Sequence, residues 1–157
     1  MWIAPEEKDP IVRHEPNRKS IGYFGALRLK DGYLMTRRED KSFNGQTFWK
    51  FLQELAVLSR ARGRRVVVIS DNAKYHHALL HKPWRLAQAG RFDLDFLPPY
   101  SPQLNPIERV WKLLRRLRLH NQHFSTLQHV VAAVEPQLQS WAQPNTALRK
   151  LCDTFGR

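Results

Sequence analysis

Hydrophobic positions change period along this chain, and each change marks an element. Residues 21–29 (IGYFGALRL) read as a strand and residues 33–36 as its partner. Asp31-Gly32 between them offers a two-residue hairpin turn, since glycine tolerates positive φ. Phe48, Phe51, Leu52, Leu55 and Leu58 then fall at helical spacing, which predicts an amphipathic helix over 46–61, ended by Gly63. Residues 66–70 (VVVIS) form a continuous β-branched run, the pattern of a strand covered on both faces. A polar turn follows, then a helical segment over 77–89 that Pro83 bends or divides and Gly90 closes. Residues 94–97 make a short strand that Pro98-Pro99 stops. Ile107, Val110, Trp111, Leu114 and Leu117 stripe a helix reaching about residue 119, with Asn105 as its side-chain cap and Pro106 at its first position. Leu127, Val130, Val131, Val134 and Leu138 stripe another, kinked at Pro136, and a last helix covers 146–154. Residues 1–20, with Pro5, Pro10 and Pro16, read as irregular. Hairpin, helix, strand, helix, strand and helices in that order predict an α/β fold with a mixed sheet flanked by helices.

Composition narrows the class. The chain has 157 residues, 42% of them hydrophobic, enough for one domain with a real core. Lys and Arg number 26 against 14 Asp and Glu, a formal charge of +12. Such an excess points first to nucleic acid, although a solvated basic surface or a membrane-surface contact could use it. Cys152 is the single cysteine, which excludes an internal disulfide. No apolar run approaches the ~18 residues that span a bilayer, and the first residues carry no apolar signal core. The expected location is the cytoplasm, with no membrane partner.

Two carboxylates carry the candidate chemistry. Asp71 follows the 66–70 strand directly, and open α/β sheets bind ligands at the carboxyl ends of their strands. Glu108 falls in the first turn of the helix after the next strand. Acidic groups brought together this way repel unless a cation lies between them, and Mg²⁺ suits one or two carboxylates completed by phosphate oxygens and water. Lys112 and Arg115 lie within about 40° of Glu108 on the helical wheel, and Arg109 and Arg116 extend that basic face. Local roles compete with this reading. Asn105-x-x-Glu108 has the form of a capping box, Asp71 could cap the turn after its strand, and a basic helix face is by default solvated.

The motifs D-N-A-x-x-H at 71–76 and L-P-P-Y-S-P-x-L-N-P-I-E-x-x-W at 97–111 resemble those of DDE transposases of the mariner-type superfamily, most closely its bacterial insertion-sequence branch. The likeness extends from Trp2 to Leu138 and includes F-G-A-L at 24–27. It implies a ribonuclease-H-like fold, Mg²⁺ or Mn²⁺ as cofactor, and DNA hydrolysis followed by strand transfer, in a bacterial cytoplasm and associated with the nucleoid. Double-stranded DNA, as transposon ends and target, is the implied partner. By motif, Asp71 is the second catalytic, metal-binding carboxylate and Glu108 the third. Asn72 would orient Asp71 or contact backbone, His76 would sit near the scissile phosphate or be a buried hydrogen-bonded histidine, and Asn105 would support the turn. Arg109, Lys112, Arg115 and Arg116 would meet DNA. Tyr100 could stack on a base or pack the turn, Trp84, Phe92 and Phe96 read as core, and His77 with His81 lacks further ligands for zinc.

The sequence departs from the family at its start. The family's first aspartate lies on a central strand ahead of a W-x-P segment, which Trp2 to Pro5 resembles. Asp9, Asp31 and Asp40 are not credible substitutes for it. The expectation is therefore a truncated ribonuclease-H-like sheet lacking its first, central strand. Residues 1–142 would be a partial catalytic domain, and 143–157 a helical tail. Such a chain is expected to be silent and poorly soluble alone, completed by an N-terminal half or by a homo-oligomer. The rival readings are a basic DNA-binding fragment that modulates an intact transposase, and an active ribonuclease-H-like nuclease.

Overall fold

A computed structural model describes residues 20–153, apart from residue 62. The W-x-P segment and Asp9 lie outside the described residues. Seven residues of β1 (Gly22–Arg28) pair antiparallel with β2 (Tyr33–Glu39), and Arg28 stands opposite Tyr33. The turn between them thus has four residues rather than the two expected. Asp31 explains the difference: its carboxylate accepts from the Arg28 guanidinium at 2.6 and 2.7 Å and from the Tyr33 N–H at 3.2 Å. Gly32 follows at φ 74°, and a Cβ there would meet the backbone of Asn145 and Arg149.

Helix α1 (Gly45–Arg60) buries Phe48, Phe51, Leu52, Leu55 and Ala56, close to the predicted stripe. Its start is capped by Asn44, whose side-chain oxygen accepts from the N–H groups of Gln46 and Thr47. β3 (Val66–Ser70) and β4 (Phe92–Phe96) form a parallel pair. Between them the chain makes two 3-10 turns, Lys74–His77 and Leu79–His81, and a short α2 (Lys82–Ala87), in place of the single helix expected over 77–89. Extended backbone at Ala78 (ψ 132°) separates the turns, and Pro83 sits in the first turn of α2, where a missing N–H is tolerated. The chain continues into α3 (Ile107–Arg118), α4 (Leu127–Ser140), which runs through Pro136, and α5 (Thr146–Cys152).

Two apolar clusters divide the core, with the β1–β2 hairpin between them. Phe24, Ala26 and Met35 face α1, together with Val66, Val68, Phe92 and Leu94 of the parallel pair. Tyr23, Leu27 and Leu34 face Val110 and Leu114 of α3, Val134 and Leu138 of α4, and Leu148 and Cys152 of α5. Gly25 permits this close packing, because any Cβ there would strike the Trp111 indole.

The two strand pairs share the α1 core, yet among the described residues no hydrogen bond joins them into one sheet. One face of the parallel pair is also open. Val67 and Ile69 are 47% and 58% exposed, opposite Asp93 and Asp95 in the ladder. The expectation of cover on both faces of β3 therefore fails: α1 covers one, and no described element covers the other. Leu117, placed on the buried stripe of α3, is likewise half-exposed. Among the described residues no helix is long and apolar enough to cross a membrane.

Candidate active site

The carboxyl ends of β3 and β4 lie side by side and carry the candidate residues. Leu97 extends the ladder, its N–H donating to the Ser70 carbonyl at 2.8 Å. Asn72 ties the two exits together, since its side-chain amide donates to the Leu97 carbonyl. Its oxygen in turn faces His77 Nε2 at 3.1 Å, and the His77 ring stacks on Phe96 with centroids 4.0 Å apart. Asn72 thus bonds the chain's own backbone at Leu97.

Asp71 is half-exposed and only partly engaged. Its Oδ1 accepts from the Ala73 N–H at 3.1 Å, the turn-capping role, and lies 2.8 Å from His76 Nδ1. The same nitrogen is 3.0 Å from the Asp71 carbonyl. A carbonyl and a carboxylate can only accept, so Nδ1 carries the proton. Burial lowers the pKa of His76, and its contacts with Asp71 offset this only in part. The ring is therefore neutral near pH 7, and His76 orients Asp71 as a hydrogen-bond donor. Ser70 Oγ also approaches Nδ1, at 2.9 Å. With all three groups on one nitrogen, Ser70, His76 and Asp71 do not make a nucleophilic triad. Asp71 Oδ2 takes part in no hydrogen bond among the described residues.

Glu108 opens α3, and here the capping expectation is corrected. No side chain caps this helix. Asn105 is buried and its carbonyl, not its side chain, accepts from the Glu108 N–H at 3.2 Å. Pro106 occupies the cap itself. The reciprocal Asn105–Glu108 capping box does not form, and the Glu108 carboxylate makes no hydrogen bond or ion pair among the described residues. Its position is set from behind. The buried Cys152 thiol of α5 lies 3.4 Å from the Pro106 carbonyl, and the Arg109 guanidinium donates to the Leu151 carbonyl at 3.2 Å.

Lys112, Arg115 and Arg116 are exposed along the same helix, whereas Arg109 is turned toward α5. Hard oxygen donors left unengaged on Asp71 and Glu108 suit a divalent ion of the Mg²⁺ type. Among the described residues, no group of three or more His, Cys, Asp or Glu side chains gathers to hold a metal by itself. Tyr100, which the sequence left between two roles, does not pack the turn: its ring is fully exposed.

A hairpin, a crossover to a parallel pair and an acid-bearing helix define a ribonuclease-H-like α/β fold. Residues 1–131 match the family described as DDE superfamily endonuclease, and the chain belongs to that family. A chain in the crystal structure of the Mos1 strand transfer complex superposes with a TM-score of 0.60 at 20% identity, over 97% of this chain and 44% of that one. An uncharacterized protein of Sinorhizobium fredii, y4pE/y4sA, is 35% identical over 81 residues, 50% of this chain and 56% of the relative. The chain thus spans about half the length of each of these proteins.

Proposed function

We propose that this chain supplies the second and third acidic residues, Asp71 and Glu108, of a DDE transposase site that cleaves and transfers DNA strands. The observation that carries the reading is that neither carboxylate is fully spent on the fold. Asp71 keeps Oδ2 free at the carboxyl end of a parallel strand, and Glu108 is released from the capping role its spacing suggested. Mg²⁺ or Mn²⁺, held by these two residues, would supply charge stabilisation at the attacking and leaving oxygens of a phosphodiester. The neutral His76 fixes the aim of Asp71, Asn72 locks its turn to the neighbouring strand, and the buried Asn105 anchors the approach to Glu108. Lys112, Arg115 and Arg116 present positive charge to a DNA backbone beside these acids.

The chain is catalytically silent by itself in this proposal. A first aspartate comes from another polypeptide segment, an N-terminal portion of the transposase, added to the two strand pairs that α1 holds unjoined. The test is metal-dependent nicking of a duplex carrying transposon ends. The 157-residue chain should be inactive alone and gain cleavage when a segment bearing an aspartate on an extended strand is added. Asp71→Asn and Glu108→Gln should each abolish the gain. Cleavage by the chain alone would overturn the requirement for a partner, and cleavage that survives Asp71→Asn would overturn the site.

A second reading is a non-catalytic DNA-binding fragment that co-assembles with an intact transposase, favoured by the exposed basic face of α3 and the charge of +12. Salt-sensitive duplex binding with no cleavage under any complementation would favour it.

A further inference from the structure

The outer edge of β2 is open, and its charges are ordered so that the strand complements itself. The Leu34 N–H donates to the Trp141 carbonyl at 3.0 Å, so the even-numbered positions of β2 turn their backbone groups away from β1. Trp141 occupies that edge at Leu34 alone. Among the described residues, the outward N–H and C=O groups of Thr36 and Arg38 have no partner. A groove of about 350 Å³ lies between these residues and the end of α4, at Gln139 and Ala142, and leaves the edge accessible.

An open edge is a template for a further strand, and charge on it decides which strand is accepted. β2 carries Arg37, Arg38 and Glu39, followed by Asp40 and Lys41. Opposite charges facing each other across a strand pair stabilise it, and like charges repel. Two-fold antiparallel pairing through the outward groups allows few registers. Trp141 blocks one centred on Thr36, which needs the Leu34 N–H. Centring on Arg37 sets that arginine against itself. Centring on Glu39 matches Arg38 with Asp40 but sets Glu39 against itself and Arg37 against Lys41. Centring on Arg38 puts Arg37 of each copy opposite Glu39 of the other, and Thr36 opposite Asp40. Only Arg38 then faces its own kind, and it already holds Glu135 at 2.8 Å and Asp40 at 3.0 Å.

We propose that a second copy of this chain docks on the β2 edge, antiparallel and two-fold about Arg38, extending the hairpin into a four-stranded sheet. A closed two-fold pair uses the same patch on both copies, so a self-complementary edge is what it requires. The interface uses none of Asp71, Glu108 or the basic residues of α3, so its failure leaves the DNA-processing reading standing.

Sedimentation velocity of the full chain should show a dimer. Thr36→Pro removes an outward N–H and no bond to β1, a placement proline tolerates on edge strands. It should give a monomer with an unchanged far-UV circular dichroism spectrum. Arg37→Glu and Glu39→Arg each set like charges across the axis and should weaken the dimer about tenfold or more. Mixed in equal amounts they should pair again, because one copy is then acidic at both positions and the other basic at both. Arg37→Glu also loses its ion pair with Glu54, and recovery on mixing controls for that loss. Arg38→Cys should cross-link the copies under mild oxidation and Asp40→Cys should not, since directly opposed residues lie about 5.5 Å apart at Cα, within disulfide reach. Ile69→Lys, on the open face of β3, removes association beyond the dimer and should leave the pair intact. A chain that stays monomeric overturns the proposal, whether its edge is free or taken by its own residues 1–19. A dimer untouched by Thr36→Pro and Glu39→Arg, one dissociated by Ile69→Lys, or cross-linking through Asp40→Cys in place of Arg38→Cys overturns it equally.

Discussion

Gly25→Ala sets two physical effects against each other in the middle of β1. A glycine in a strand interior costs roughly 0.5–1 kcal/mol relative to alanine, so propensity alone predicts that the substitution stabilises. Packing predicts the reverse. The new Cβ would lie 2.7 Å from the outer Cη2 of the Trp111 indole, closer still to Cζ2, and 3.4 Å from Ile107 Cδ1. The obstacle is a rigid ring rather than the tip of a flexible chain, so α3 or the hairpin must move. Overpacking of this kind costs about 1–3 kcal/mol. The net expectation is destabilisation by about 1–2 kcal/mol, once the propensity gain is set against it. With a urea slope of about 2 kcal/mol/M, the midpoint should fall by roughly 0.5–1 M. Far-UV circular dichroism across a urea titration measures it, and Trp111→Phe in the G25A background should recover part of the loss. A midpoint equal to or above that of the unaltered protein would refute the claim that Gly25 is needed for the approach of hairpin and α3.

The open face of β3 and the buried His81 give two more expectations. Ile69→Lys places a cation opposite Asp95 on the uncovered face, so stability should hold within about 0.5 kcal/mol while self-association in sedimentation velocity falls. A large loss of stability would mean that the face is covered. His81 is fully buried, and among the described residues neither ring nitrogen makes a well-formed hydrogen bond. Burial lowers its pKa, aided by Arg85; the Tyr75 carbonyl opposes this, and His76 and His77 add to the lowering. The fold therefore favours the neutral ring. That contribution is complete above the ordinary imidazole value of about 6.5 and is lost as pH falls through the lower folded value. The urea midpoint should drop on acidification, less steeply in His81→Leu, and an unchanged acid limb in that variant would exclude His81 as the source.

Much of this fold was legible because hydrophobic periodicity is a local property of the chain. Helix α1 shows a full apolar stripe, and β1, β2, β3 and β4 all fall where alternating or continuous apolar runs stand. The errors arise where local sequence holds no information about partners. V-V-V-I is apolar on both faces, so nothing in it says which face α1 would leave open. Asn105 has the chemistry of a cap, but tertiary burial consumes it and leaves the cap to Pro106. The 77–89 segment reads as helical, yet extended backbone at Ala78 and the 3-10 turn after it leave only Lys82–Ala87 as α-helix. Asp71 and Glu108 were singled out by motif order, a reading that the nicking assay tests. The exposure of Tyr100 could not be, because an aromatic residue between prolines reads as packing.

Helix α5 lies beyond residue 131, where the match to the endonuclease family ends, yet it grips the chain on both sides of Glu108 through Pro106 and Arg109. The acid is thus aimed by a buttress its own signature does not contain. Substitutions in that buttress can redirect the carboxylate while every residue of the signature stays intact.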